Sequence, residues 1–156
     1  EASADLRFRW YGARALLSMR LEKGWGVWMM EYRPDFNAVE AGMDVFINWE
    51  KDFVGKEAAL KARNRSVSQK LLTMVIDTDG IDVVHDEAIL KDGTPVGYVS
   101  SGGYAHHVGK SMAMGYVAAE FASPGTTLQV EILGSLYDAE VLSGPIYDAN
   151  GFNMRS

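Results

Sequence analysis

The chain is 156 residues long with no cysteine, 47% hydrophobic and 23% charged, and carries a net charge of −6 with an isoelectric point near 5.0. This composition supports one compact core and excludes disulfide scaffolds, thiol nucleophiles and cysteine-ligated zinc. The acid excess argues against nucleic acid as the main partner, and no apolar run approaches the roughly 20 residues of a membrane span.

In chain order, the first ten residues read as the tail of an earlier element, and the abrupt start at Glu1 points to a piece of a longer protein. Tyr11 to Ser18 has helical spacing of Ala13, Ala15, Leu16 and Leu17. A strand is expected near Met19–Leu21, followed by irregular backbone at Gly24 and Gly26. Tyr32 to Asp35 is a loop, since Pro34 disfavours helix at Arg33. Val39 to Gly42 is a helical turn, Val45-Phe46-Ile47 a buried strand, and Gly55 to Arg63 a helix of strong helix formers ended by Asn64-Arg65-Ser66.

After Ser68 the texture turns to β. Leu71–Ile76 is an apolar, β-branched run, and Asp77 to Gly80 is a turn. Ala88–Leu90 and Pro95–Ser100 form a hairpin across Asp92-Gly93. Met112–Val117, Thr127–Leu133 and Ser135–Leu142 add three strands. Short strands at this spacing predict a small antiparallel barrel or sandwich, hence an α+β chain.

Several chemical patterns fail on spacing. Gly103 to Ser111 approaches a phosphate loop but is one residue too long, and the following MAMGYV reads as strand where a phosphate loop needs a helix. His106 and His107 are adjacent and His85 is remote, so no metal set is placed. Asp77/Asp79 and Asp82/Asp86 lack the spacing of a calcium loop and read as solvated turns.

Two stretches carry a resemblance. SMRLEKGWGVW followed by AVEAGMDVFINWEKDFVGKEAAL resembles the "RLE-x-G" region of the glycine-cleavage T-protein (aminomethyltransferase) family, in the form found in dimethylglycine and sarcosine dehydrogenases and oxidases. PVGYVSSGGYAHHVGKSMAMGYV is similar to the signature of that family's C-terminal barrel, so the likeness runs from about Tyr11 to Leu142. It implies residues 1–66 as the end of a T-protein-like α/β folate-binding domain and residues 67–156 as a small antiparallel β-barrel. It implies tetrahydrofolate as cofactor, with FAD only where a flavin half precedes, and a folate-dependent aminomethyltransferase or a dimethylglycine- or sarcosine-oxidising enzyme. The partners implied are folate, an amine substrate and an N-terminal remainder or partner subunit. The compartment is the cytoplasm, or the mitochondrial matrix in a eukaryote.

By the same resemblance Arg20 lies at the folate pocket, where its forked donors suit a carboxylate or a pterin edge; an ion pair with Glu22 or another acid is the alternative. Trp28, with Trp25 beside it, offers an aromatic face to a pterin or aminobenzoyl ring or simply packs in the core. Glu22 and Arg155 join Arg20 and Trp28 as expected cofactor contacts, Tyr147 is a weaker one, and Glu40 of AVEAG reads as a structural hydrogen-bonding residue. No catalytic acid or base is assigned, and the chain is expected to be inactive alone. The other class of reading is a structural barrel that caps or docks a catalytic half. A folate-binding iron–sulfur assembly helper is disfavoured, because KDFVGKE has no cysteine where those relatives carry K-G-C.

Overall fold

The computed structural model describes residues 9–155; the reading of the chain's start falls, for residues 1–8, outside the described residues. Six strands close an antiparallel barrel in the order β1-β4-β3-β2-β5-β6. They are β1 (Gln69–Ile76), β2 (Ala88–Lys91), β3 (Thr94–Ala105), β4 (Lys110–Ala118), β5 (Thr127–Ile132) and β6 (Ser135–Val141). The expected barrel is therefore what forms. Each barrel strand of the sequence reading is present, with β3 running five residues past Ser100 because Ser101–Ala105 pair with Lys110–Met114.

Inward-facing positions alternate as the pleat requires. Leu72, Met74 and Ile76 of β1 pack with Ile89, Val99, Ala113, Val117, Leu128, Val130 and Val141 inside the barrel. The β2–β3 turn places Asp92 (φ 50°) and Gly93 (φ 77°) in the left-handed region, the twist that a two-residue hairpin needs. The barrel is tight where β3 meets β4: a Cβ built on Gly97 would lie 2.2 Å from the Tyr116 carbonyl oxygen.

Helix α1 (Ala13–Glu22) lies across β3 and β4 on the barrel's outside. Leu21 joins Ala105, Met112 and Met114 in a second buried cluster beneath it. The helix thus runs through Met19–Leu21, where a strand was expected. Ser18, Leu21 and Glu22 are three and four residues apart and share a face, and that face is what the barrel covers. Gly24 (φ 62°) ends the helix, with the Trp25 N–H donating back to the Arg20 carbonyl at 2.9 Å.

The connection to the barrel is mostly turns, with a 3-10 turn at Asp44–Phe46 and helix α2 (Lys56–Asn64). The buried strand expected at Val45–Ile47 is instead that turn, with Val45 77% and Phe46 65% exposed. Val45 faces outward, and Phe46, though mostly exposed, meets the Trp25 ring on one edge. A last short helix, α3, spans Phe152–Arg155. Among the described residues no helix is long and apolar enough to cross a membrane.

Candidate functional site

The C-terminal end of α1 and the loop after it bring a charged pair into the interior. Arg20 is 6% exposed and Glu31 fully buried, and Arg20 Nη1 donates to Glu31 Oε2 at 3.2 Å. The same nitrogen lies 3.3 Å from the Trp25 carbonyl and 3.7 Å from Met114 Sδ. Glu31 Oε2 also accepts the Val27 N–H at 2.8 Å. Its other oxygen accepts the Ser100 hydroxyl at 2.8 Å and a short bond from the Ser101 hydroxyl. The Glu31 carbonyl takes the Tyr116 hydroxyl at 2.8 Å.

Burial pulls the Arg20 guanidinium below its ordinary pKa, while the Glu31 charge pushes the other way. Burial likewise raises the Tyr116 phenol well above its ordinary value. Arg20 Nε is buried and has no hydrogen-bond partner among the described residues. Of the two alternatives weighed for Arg20, the ion pair forms, and it forms with Glu31.

Beside this pair, Trp25 stands edge-on to Tyr32 (6.2 Å, 79°) and to Phe46 (5.8 Å, 79°). These rings, with Thr73 and Met114, line an open cavity of about 190 Å³ between the loop and β1. Gly26 lets the chain pass, since a Cβ there would sit 2.7 Å from Glu31 Cβ and 2.8 Å from the Tyr32 ring. A pocket for a cofactor-sized ligand is typically about 300 Å³ or more, so this cavity by itself is smaller than such a site. Trp28 projects into solvent next to it, 77% exposed. Glu40 has the structural role read for it: Oε2 accepts the Asn37 N–H at 3.0 Å, and its carbonyl takes the Leu71 N–H at 2.8 Å, tying the loop to β1.

Glu22 lies on the other side of α1. Its buried Oε1 accepts the His107 N–H at 2.7 Å, and its carbonyl takes the Tyr147 N–H at 3.1 Å. Together with Lys23, His106, His107 and Tyr147 it borders a second cleft of about 380 Å³. Lys23 Nζ is anchored there on the Asp148 carbonyl at 2.5 Å. Arg155 is exposed on α3, and no hydrogen bond or ion pair joins it to Arg20, Glu22 or Trp28 among the described residues. The four expected contacts therefore divide: Arg20, bonded to Trp25 and Met114, and Trp28, bridged to Tyr32, stand behind the cavity's lining without entering it, Glu22 belongs to the second cleft, and Arg155 sits apart. Among the described residues no group of three or more His, Asp or Glu side chains could hold a metal. Sequence reasoning missed Glu31, Ser100, Ser101 and Tyr116. The available signals were a lone acid after the apolar Val27–Met30 and a doubled serine within a strand.

Residues 69–148 match the glycine cleavage T-protein C-terminal barrel domain. The chain is 34% identical over 138 residues to the mitochondrial dimethylglycine dehydrogenase of Rattus norvegicus, an alignment covering 87% of this chain and 16% of that protein. It is 31% identical over 141 residues to an aminomethyltransferase of Desulfitobacterium hafniense, covering 90% of this chain and 38% of the relative. The crystal structure of the glycine cleavage system aminomethyltransferase T from Bartonella henselae superposes with a TM-score of 0.86 at 26% identity, over 94% of this chain and 42% of that one. The chain thus spans well under half the length of each. Matched sequence, strand order and superposition agree: the chain belongs to the glycine cleavage T-protein family, whose C-terminal barrel domain it carries.

Proposed function

We propose that this chain is the folate-facing C-terminal portion of a tetrahydrofolate-dependent one-carbon enzyme, of aminomethyl-transferring or methylamine-oxidising type. The observation that carries this reading is the aromatic cavity of Trp25, Tyr32 and Phe46 beside a buried guanidinium. Flat rings beside a buried cation suit a heteroaromatic ligand. Arg20, Trp25 and Trp28 would hold the folate, and Glu22 and Arg155 would bear on it from further along the chain. Tetrahydrofolate, when bound, supplies the nitrogen that accepts the one-carbon unit. This chain's residues orient the ligand, exclude water from one wall and place no general base, so proximity supplies the rate.

In this reading residues 1–66 end the folate-binding domain and residues 67–156 form the barrel. The rest of the site comes from a preceding part of the same polypeptide or from a partner subunit. A flavin enters only where a flavin half precedes, and the compartment is the cytoplasm or the mitochondrial matrix. The isolated chain does not turn over.

A second reading, a barrel that only caps a catalytic half, draws on the exposed Val45, Phe46, Phe53 and Val54, an apolar surface suited to burial against another domain. Titrating tetrahydrofolate into the full-length parent protein separates the two. The Trp25→Ala and Trp28→Ala variants are expected to bind roughly 3- to 10-fold more weakly, the worth of an aromatic contact. Wild-type affinity in both would favour the cap.

A further inference from the structure

We propose that Glu31 is a positioning residue: it holds Arg20 and the Trp25–Tyr32 loop in the geometry of the ligand wall, acting through its contacts and not on the ligand. This inference rests on the folate reading for what the wall binds, and on geometry alone for what holds the wall.

Glu31 belongs to no helix and no strand of the barrel, yet its side chain is fully buried. Its carboxylate joins three separate parts of the chain: Arg20 of α1, the Val27 N–H of the loop, and Ser100 and Ser101 of β3. The β3–β4 register slips between Val99 and Ser101, so Ser100 is the extra residue of a bulge. In a regular strand, neighbouring side chains point to opposite faces and only one of these hydroxyls could reach the carboxylate. The bulge turns both toward Glu31, and bulges recur where a strand must re-aim a side chain at a site.

Stability alone does not call for this arrangement, because apolar residues of similar volume commonly replace a buried ion pair without loss. What the network adds is a fixed orientation. Arg20 Nη1 and the Val27 N–H share one carboxylate oxygen, and Nη1 also touches the Trp25 carbonyl. The guanidinium and the loop backbone at Trp25 and Val27 are thereby set by one anchor.

The test uses the full-length parent carrying Glu31→Gln, with three readouts: amide hydrogen exchange across residues 25–32, tetrahydrofolate affinity and thermal unfolding. The Gln amide keeps one acceptor oxygen but removes the negative charge facing Arg20, and its N–H2 group forces the Ser100 and Ser101 hydroxyls to turn from donors into acceptors. Exchange across 25–32 is expected to speed up at least 10-fold and affinity to fall at least 10-fold, while the barrel strands keep their protection. Ser101→Ala, which leaves the charge pair intact, is expected to give the same pattern more weakly and serves where Glu31→Gln does not fold. Unchanged exchange overturns the proposal. Faster exchange with unchanged affinity also overturns it, leaving a purely structural residue. Wild-type affinity in Trp25→Ala and Trp28→Ala sinks the folate reading instead, and the exchange data still decide whether Glu31 holds the loop.

Discussion

Replacing Arg20 by Met keeps most of the apolar stem and removes the charge that faces Glu31. Glu31 is fully buried and Arg20 6% exposed, so water cannot take over the lost contact without opening the loop. Breaking a buried pair from one side typically costs about 3–5 kcal/mol, because a desolvated charge is left behind. For a chain of this length each kcal/mol moves the unfolding midpoint by roughly 2–4 °C, giving a fall of about 10 °C. The double variant Arg20→Met/Glu31→Leu removes both charges, and its cost is expected to undershoot the sum of the single changes by about 2 kcal/mol. Differential scanning calorimetry of the four proteins in one buffer measures this. A fall below about 2 °C for Arg20→Met, or strict additivity in the cycle, would refute the claim that the two side chains form one buried unit.

Three further outcomes follow from the packing. Gly97→Ala forces a methyl group to 2.2 Å from the Tyr116 carbonyl oxygen and 2.9 Å from Val117 Cα; the strand must move, at about 3 kcal/mol or more, read as a lower midpoint in thermal melts. Tyr116 has its phenol raised by burial, so its contribution is full below the ordinary tyrosine value near 10 and declines as pH rises above it. Tyr116→Phe should flatten that alkaline decline while costing about 1–2 kcal/mol at neutral pH for the lost bond to the Glu31 carbonyl, both visible in denaturant titrations across pH. Trp28→Ala should leave the melting midpoint within about 2 °C, since the ring is 77% exposed; a larger fall would mean that the indole packs on its own barrel.

The barrel was legible because its signals are local. Leu71–Ile76 and Thr127–Leu133 read as strands from β-branched runs, and Asp92-Gly93 marks a turn whose dihedrals few other residues adopt. Met19–Leu21 misled because bulky residues in sequence look alike in a strand and in a helix whose covered face needs only every third or fourth position. Val45–Ile47 misled for another reason: apolar residues were taken to be covered, and Val45 and Phe46 lie exposed at the surface of this chain. Arg20 was found through family likeness, but its partner was not. Glu31 meets Ser100 and Ser101 across 69 and 70 residues, and no periodicity reaches that far.

The closing of the barrel has a kinetic consequence. β1 pairs with β6 only over Met74–Ile76, and that seam joins the first strand of the barrel to the last. A ribosome releases β6 after every other strand, so β1 waits with one edge unpaired until Val141 has emerged. The most distant partners in sequence thus meet last, and the rate of that meeting sets how long the nascent chain stays open to capture by a neighbour or a chaperone.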